Sequence, residues 1–124
     1  MDQLLNFSAA TPIYIQIGER LCDEIISGNY PEESRVPGVR EYSAQLEVNV
    51  NTTTKAYDRL AQQNIIYQKR GMVYFVKSGA RELILSERKH QFMQHTMPQI
   101  KARMQMLGIT HEEIMEILKG CSKN

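Results

Sequence analysis

Residues Glu41–Tyr57 read EYSAQLEVNVNTTTKAY, with Arg40 directly ahead of them. The stretch reads as two short helices joined by a turn. The first helix ends near Leu46, Glu47-Val48 make the turn, and Asn49 opens the second helix. An Asn side chain at that position accepts a bond from an unpaired N–H of the first turn, so Asn49 is the expected N-cap. Beyond it Thr53, Ala56, Tyr57 and Leu60 recur at helical spacing and predict an inward face. Asn51, Thr52, Lys55, Arg59 and Gln62 fall on the opposite side. Short amides and hydroxyls lie at the N-terminal end of that face, with positive charge behind them. A helix that enters a DNA major groove needs this order: small polar groups for base edges, lysine and arginine for phosphates. The same pattern also suits an amphipathic helix whose polar face is simply solvated.

The flanking sequence builds a support for this pair. Thr11-Pro12 marks a helix start, with a capping hydroxyl and a proline in the first turn. Ile13, Ile17, Leu21 and Ile25 follow at four-residue steps, with Tyr14 and Ile26 beside them, and Ser27-Gly28 ends the helix. Met1–Ala10 reads as a loose arm and Asn29–Ser34 as a polar loop. Val36, Val39, Tyr42 and Leu46 supply the buried face of the first short helix, and Arg40 points away from them. Past Asn64, Ile65–Gln68 and Val73–Val76 are rich in β-branched and aromatic residues around the basic, glycine-containing tip Lys69-Arg70-Gly71-Met72. This predicts a β-hairpin. A basic hairpin directly after a helix-turn-helix has the layout of a wing.

Ser78-Gly79 is a short joint, and the remainder is helical in pattern. Met93, Met97, Ile100, Met104 and Leu107 step by four, three, four and three residues, the spacing of an apolar seam. Pro98 falls inside it and predicts a kink, and Gly108 a C-terminal stop. Thr110 and Glu113 predict a capping box, flanked by Ile109 and Ile114 as a hydrophobic staple. Five of the seven methionines lie after residue 90, which suits an adaptable contact surface. The expected organisation is thus a winged helix-turn-helix domain over 1–78 and a helical dimerisation segment over 79–124, mainly α with one small hairpin.

Composition constrains function mostly by exclusion. The net charge is +1, so no broad basic field points to nucleic acid. Residues up to Gly79 carry 8 Lys+Arg against 9 Asp+Glu, and the rest carry 7 against 5, so any DNA-binding charge is local. No apolar run approaches membrane-spanning length and no signal pattern opens the chain, so the protein is expected in the cytoplasm. Cys22 and Cys121 lack metal spacing and are expected as reduced thiols. His90, His95 and His111 have no ligand partner at metal spacing, and neither a glycine-rich phosphate cradle nor a nucleophile elbow is present. No enzyme, metal or cofactor is expected.

With these residues laid out, the chain resembles the GntR family of winged-helix transcription regulators, and within it the short YtrA-type subfamily. Thr11–Ile17 is similar to the family's "PLYxQI" opening. Gly28 through Arg35-Val36-Pro37 resembles its "G…P..RLPS" turn, and Val39-Arg40-Glu41 its "xRE". Val48–Tyr57 is close to the subfamily's "VNPNTVxKAY", Arg70-Gly71 through Phe75-Val76 resembles "RGxGxFV", and Leu107–Glu113 resembles "LGxSxEE". The sequence departs from the pattern in several places. Glu32 or Glu33 stands where the loop has glycine, Gly38 where it has serine, Glu47 at a turn position often held by glycine, Val50 for proline or arginine, and Val73 for the second wing glycine.

The resemblance implies a repressor that binds double-stranded DNA and dimerises through its short C-terminal helices, in a subfamily whose members often sit beside ABC-transporter genes. It names no effector. A two-fold pairing of the seam in turn predicts a palindromic operator. Arg40, Asn51, Thr52 and Lys55 match positions that touch DNA in the family, and Arg70-Gly71 match the wing tip. Arg35, Asn49 and Arg59 are expected to join them at the DNA, and the seam Met93, Met97, Ile100, Met104 and Leu107 is the expected dimer interface. The alternative is a winged helix that contacts protein and does not bind DNA.

Overall fold

The computed structural model describes Leu5, Phe7, residues 10–71 and residues 73–122, the last two by backbone alone. Three helices come first: α1 (Ile13–Ile26), α2 (Val39–Leu46) and α3 (Val50–Gln62). A hairpin follows, β1 (Ile66–Lys69) against β2 (Val73–Val76), antiparallel with Ile66 opposite Val76 and Lys69 opposite Val73. Then come α4 (Ala80–Gln91), a π-helical turn (Phe92–Thr96), α5 (Met97–Met106) and α6 (His111–Ser122). The result is a mainly helical winged helix with C-terminal helices, as the sequence pattern predicts.

The chain forms two compact units, residues 1–86 and 87–124. The first unit owns the core. Ile17, Leu21 and Ile25 of α1 are buried with Tyr42 and Leu46 of α2, and with Ala56, Tyr57 and Leu60 of α3. The hairpin closes the core with Ile66, Tyr74 and Val76. Gly18 of α1 faces Leu60 of α3, and a Cβ there would make ordinary contact with it at 3.5 Å. Ala80 and Ile84 of α4 are buried in the same cluster, so this unit runs past Ser78 into α4. Arg81 fastens that turn. Its Nε donates to the Ile26 carbonyl at 3.1 Å, and its backbone N–H to the Glu32 carboxylate at 3.3 Å.

Some local expectations change. Of the predicted loose arm, most lies outside the described residues, but Leu5 is buried in the core. Helix α1 begins after Pro12, and no side chain caps it. Gln16 instead donates to the Thr11 carbonyl through Nε2 at 2.9 Å. The polar loop gains order at its end. Glu33 N–H donates to the Val76 carbonyl, Val76 N–H to Ser34, and Val36 N–H to Tyr74. Arg35 thereby bridges Phe75, and β2 is flanked on both edges.

In the second unit the proline acts through hydrogen bonding. Pro98 has no N–H to offer the Gln94 carbonyl four residues back. The backbone just ahead widens into the π-turn, in which Met97 N–H donates to the Phe92 carbonyl five residues earlier. An α-helix would set Phe92 and Met97 about 140° apart around its axis. The wider turn brings them to nearly the same side, so Phe92 joins a seam read from sequence as starting at Met93. Gly108 (φ 71°) ends α5 as expected, and the Thr110–Glu113 capping box forms, with bonds of 2.8 and 3.2 Å. Ile109 and Ile114 around it are half-buried. Among the described residues from 87 to 120 none is buried.

Candidate nucleic-acid interface

The helix pair is built as its spacing predicts. Asn49 caps α3, with its Oδ1 accepting from Asn51 N–H at 2.7 Å. Thr53, Ala56, Tyr57 and Leu60 are buried. Asn51 and Lys55 are exposed, and Thr52 and Arg59 are half-buried. No acidic residue lies in the first turn of α3, so the partial positive charge of that helix end is not cancelled by its own side chains. Its one carboxylate, Asp58, is exposed two turns further on. An anionic ligand is therefore favoured at the N-terminal end of α3.

Tyrosines set the angle between α2 and α3. Tyr57 Oη donates to the Pro37 carbonyl at 2.7 Å, a buried bond between the interior of α3 and the approach to α2. Tyr42 lies 6.2 Å from Tyr57, and Tyr74 of the hairpin packs edge-on to Tyr57 at 5.1 Å. Tyr42 Oη donates to Glu24 of α1 at 3.2 Å. Burial, reinforced by Glu24, pushes both the Tyr42 and Tyr57 phenols well above the usual tyrosine range, so both stay neutral donors. One rigid aromatic cluster thus ties all parts of the winged helix behind the outward face of α3. Arg40 is exposed on the first turn of α2, three residues after the Pro37 carbonyl that Tyr57 of α3 binds.

The hairpin carries the remaining candidates. Arg70 (φ 54°) and Gly71 (φ 77°) are both left-handed and exposed at the tip; Met72 lies outside the described residues. Arg35 is exposed but sits beside Phe75, toward the base of the hairpin rather than its tip. Lys69 adds a cation that the sequence reading left out of the site. Its Nζ lies 5.0 Å from the Phe75 ring, and that ring stacks on Tyr67 at 6.0 Å. The basic tip was the legible signal for it. Lys55 is also placed on a ring, with its Nζ 4.1 Å from the centroid of Tyr14 in α1. No periodicity or motif marks that contact. No group of three or more His, Cys, Asp or Glu suited to a metal occurs among the described residues. Nor is any described helix long and apolar enough to cross a membrane.

Residues 13–76 match the family model described as bacterial regulatory proteins, gntR family. The chain is 28% identical over 114 residues to an uncharacterised HTH-type transcriptional regulator, YhcF, of Bacillus subtilis, covering 92% of this chain and 93% of that one. It is 27% identical to the HTH-type transcriptional repressor YtrA of the same organism, covering 92% and 87%. A solved structure from Bacteroides thetaiotaomicron, assigned to the GntR family of transcriptional regulators, is 41% identical. It superposes with a TM-score of 0.77 over 90% of this chain and 97% of that one. The matched residues include α2, α3 and the hairpin. The chain belongs to the GntR family and is a DNA-binding transcriptional regulator of the helix-turn-helix type, not an enzyme.

Proposed function

We propose that this regulator is a homodimeric repressor that binds a palindromic operator. Within each half-site Arg40, Asn51 and Thr52 face base edges, while Arg35, Lys55, Arg59 and the Arg70-Gly71 tip hold phosphates. Asn49 contributes by capping: its Oδ1 is engaged, and the cap keeps the helix end ordered beside the DNA. The observation that carries this reading is the division of α3. Four side chains are buried behind it, while Asn51 and Lys55 stand exposed and the first turn carries no acidic residue. Dimerisation is supported by the second unit, where Met93, Met97, Ile100 and Leu107 are exposed and Met104 half-buried. The resemblance to YtrA-type proteins makes ABC-transporter genes the first targets to test, in the cytoplasm.

The test is a gel shift on the promoter upstream of its own gene at two salt concentrations. The protein should retard that fragment, and affinity should fall as salt rises. Truncating Arg40 or Asn51 to Ala should cost on the order of 1–3 kcal/mol on the preferred site and relax its base preference. Lys55→Ala should weaken specific and random DNA alike and flatten the salt slope by roughly one unit. Equal losses on every sequence for Arg40→Ala and Asn51→Ala would make them backbone contacts and remove them from base readout.

A further inference from the structure

Lys55 is held in place before any DNA arrives. Its ammonium lies 4.1 Å from the centroid of the Tyr14 ring. Tyr14 stands in the first turn of α1, half-buried and packed against the core, so the ring is fixed by the fold. A cation over an aromatic face is attracted by the ring quadrupole. Among the described residues no carboxylate pairs with Lys55. The difference matters for an anionic ligand. A lysine in an ion pair must break that pair to hold a phosphate; a lysine on a ring keeps its full charge and N–H donors for the side away from the ring. The hairpin repeats the arrangement, with Lys69 over Phe75.

We propose that Tyr14 is a positioning residue for DNA binding: its ring holds the Lys55 ammonium ready for a backbone phosphate beside the N-terminal half of α3. This rests on the reading of Lys55 as a phosphate contact. A free lysine loses rotamer freedom when it is immobilised on DNA, and one already seated on a ring has less to lose. Tyr14 therefore acts on affinity without touching a base, and its effect is the same on any sequence.

A double-mutant cycle tests it, using fluorescence anisotropy with a labelled mixed-sequence duplex at one low salt concentration. Tyr14→Leu should weaken binding roughly three- to tenfold. Tyr14→Phe, which keeps the ring, should bind like the wild type. In a Lys55→Met background, Tyr14→Leu should weaken binding no further. An equal loss in both backgrounds overturns the proposal, because the effect is then structural. A Tyr14→Phe loss matching Tyr14→Leu overturns it too, since the hydroxyl rather than the ring is then acting. If Lys55→Met itself binds normally, the phosphate reading of Lys55 fails, and this proposal with it. Should Tyr14→Leu not fold, as read by circular dichroism, proton NMR of the wild type and Tyr14→Phe decides. The ring current should move the Lys55 side-chain resonances upfield in both, and ordinary lysine shifts would overturn the idea.

Discussion

Glu47 stands in the turn between α2 and α3 with φ 57° and ψ 50°, a left-handed conformation that glycine takes freely. Glu33, with φ 68°, is in the same situation in the loop before α2. Both lie where the family pattern tends to have glycine, and of the two loop glutamates only Glu33 takes positive φ. Glu33 gains a partner in exchange, since Tyr67 Oη donates to its carboxylate at 2.7 Å. Glu47 has no such bond to its side chain among those described. A left-handed non-glycine residue costs about 1–2 kcal/mol. Adding a glycine gives back roughly 0.4–1 kcal/mol through the unfolded chain. Glu47→Gly should therefore stabilise the protein by about 0.5–1 kcal/mol, seen in urea as a higher midpoint at unchanged slope. A lower midpoint would mean that Glu47 makes a compensating contact. Tyr57 makes the opposite case. Its hydroxyl is the partner of a carbonyl twenty residues away, so Tyr57→Phe leaves buried Pro37 unsatisfied and should cost roughly 1–3 kcal/mol. The raised phenols add a pH dependence. The unfolded chain releases tyrosine protons near the ordinary value of 10.0 while the fold retains them. The fold thus binds more protons above that point, and stability should be intact below about pH 10 and fall above it. Tyr57→Phe should shallow that alkaline fall. Glu47 could be singled out from sequence because a glycine was missing from a pattern. The Tyr57–Pro37 bond could not, since helical period shows that Tyr57 is buried but not which polar atom waits for it.

The elements end and begin by a small set of devices. Four helices stop in the same way: α1, α2, α3 and α5 place Gly28, Glu47, Asn64 and Gly108 in the left-handed region. The next residue's N–H then bonds back into the last turn, as in Asn29 to Glu24, Val48 to Ser43, Ile65 to Leu60 and Ile109 to Met104. The glycine stops were legible in the sequence. The one at Asn64 was less so, because Asn serves equally as a cap or a loop residue. Helix α6 starts with a capping box readable from Thr110 and Glu113 alone, because its bonds are local. Thr110→Ala should cost about 1 kcal/mol, concentrated in the first turn of α6. Hydrogen exchange would show it as faster exchange at Glu112 and Glu113 with α1–α3 unchanged; unaltered rates in α6 would mean that packing, not the cap, holds this helix. The bridge between Arg35 and Phe75 was not legible, since Glu33–Val36 lacks an alternating pattern and pairs only because β2 offers it an edge. Phe92 was missed for a different reason. Heptad spacing assumes an unbroken α-helix, and the π-turn ahead of Pro98 changes which residues share a side.

At the scale of the molecule the two units differ in what they bury. The winged helix has a full core; helical periodicity marked its α1–α3 face, but not Leu5, Cys22, Ala80 or Ile84. The second unit has no buried residue among those described from 87 to 120, yet it carries Phe92, Met93, Met97, Ile100, Met106, Leu107, Met115, Ile117 and Leu118 exposed. Helices of this kind gain little from propensity alone and are stabilised by packing an apolar face. Soluble proteins also avoid leaving such a surface open to water. The simplest cover is a second copy, in which the same patch meets itself about a two-fold axis. Two copies of α3 would then address two half-sites related by that axis, and the joined sites would bind far more tightly than one. Ile100→Glu puts a charge into the middle of the seam, where pairing would have to bury it. It should give a monomer with a folded winged helix, weakened binding to a palindromic operator, and near-normal binding to an isolated half-site. Light scattering reads the mass, and circular dichroism should show partial loss of helix confined to the second unit. A wild-type protein that is monomeric at micromolar concentration, or an Ile100→Glu variant that remains dimeric and binds its operator normally, would show that this face is covered by something else.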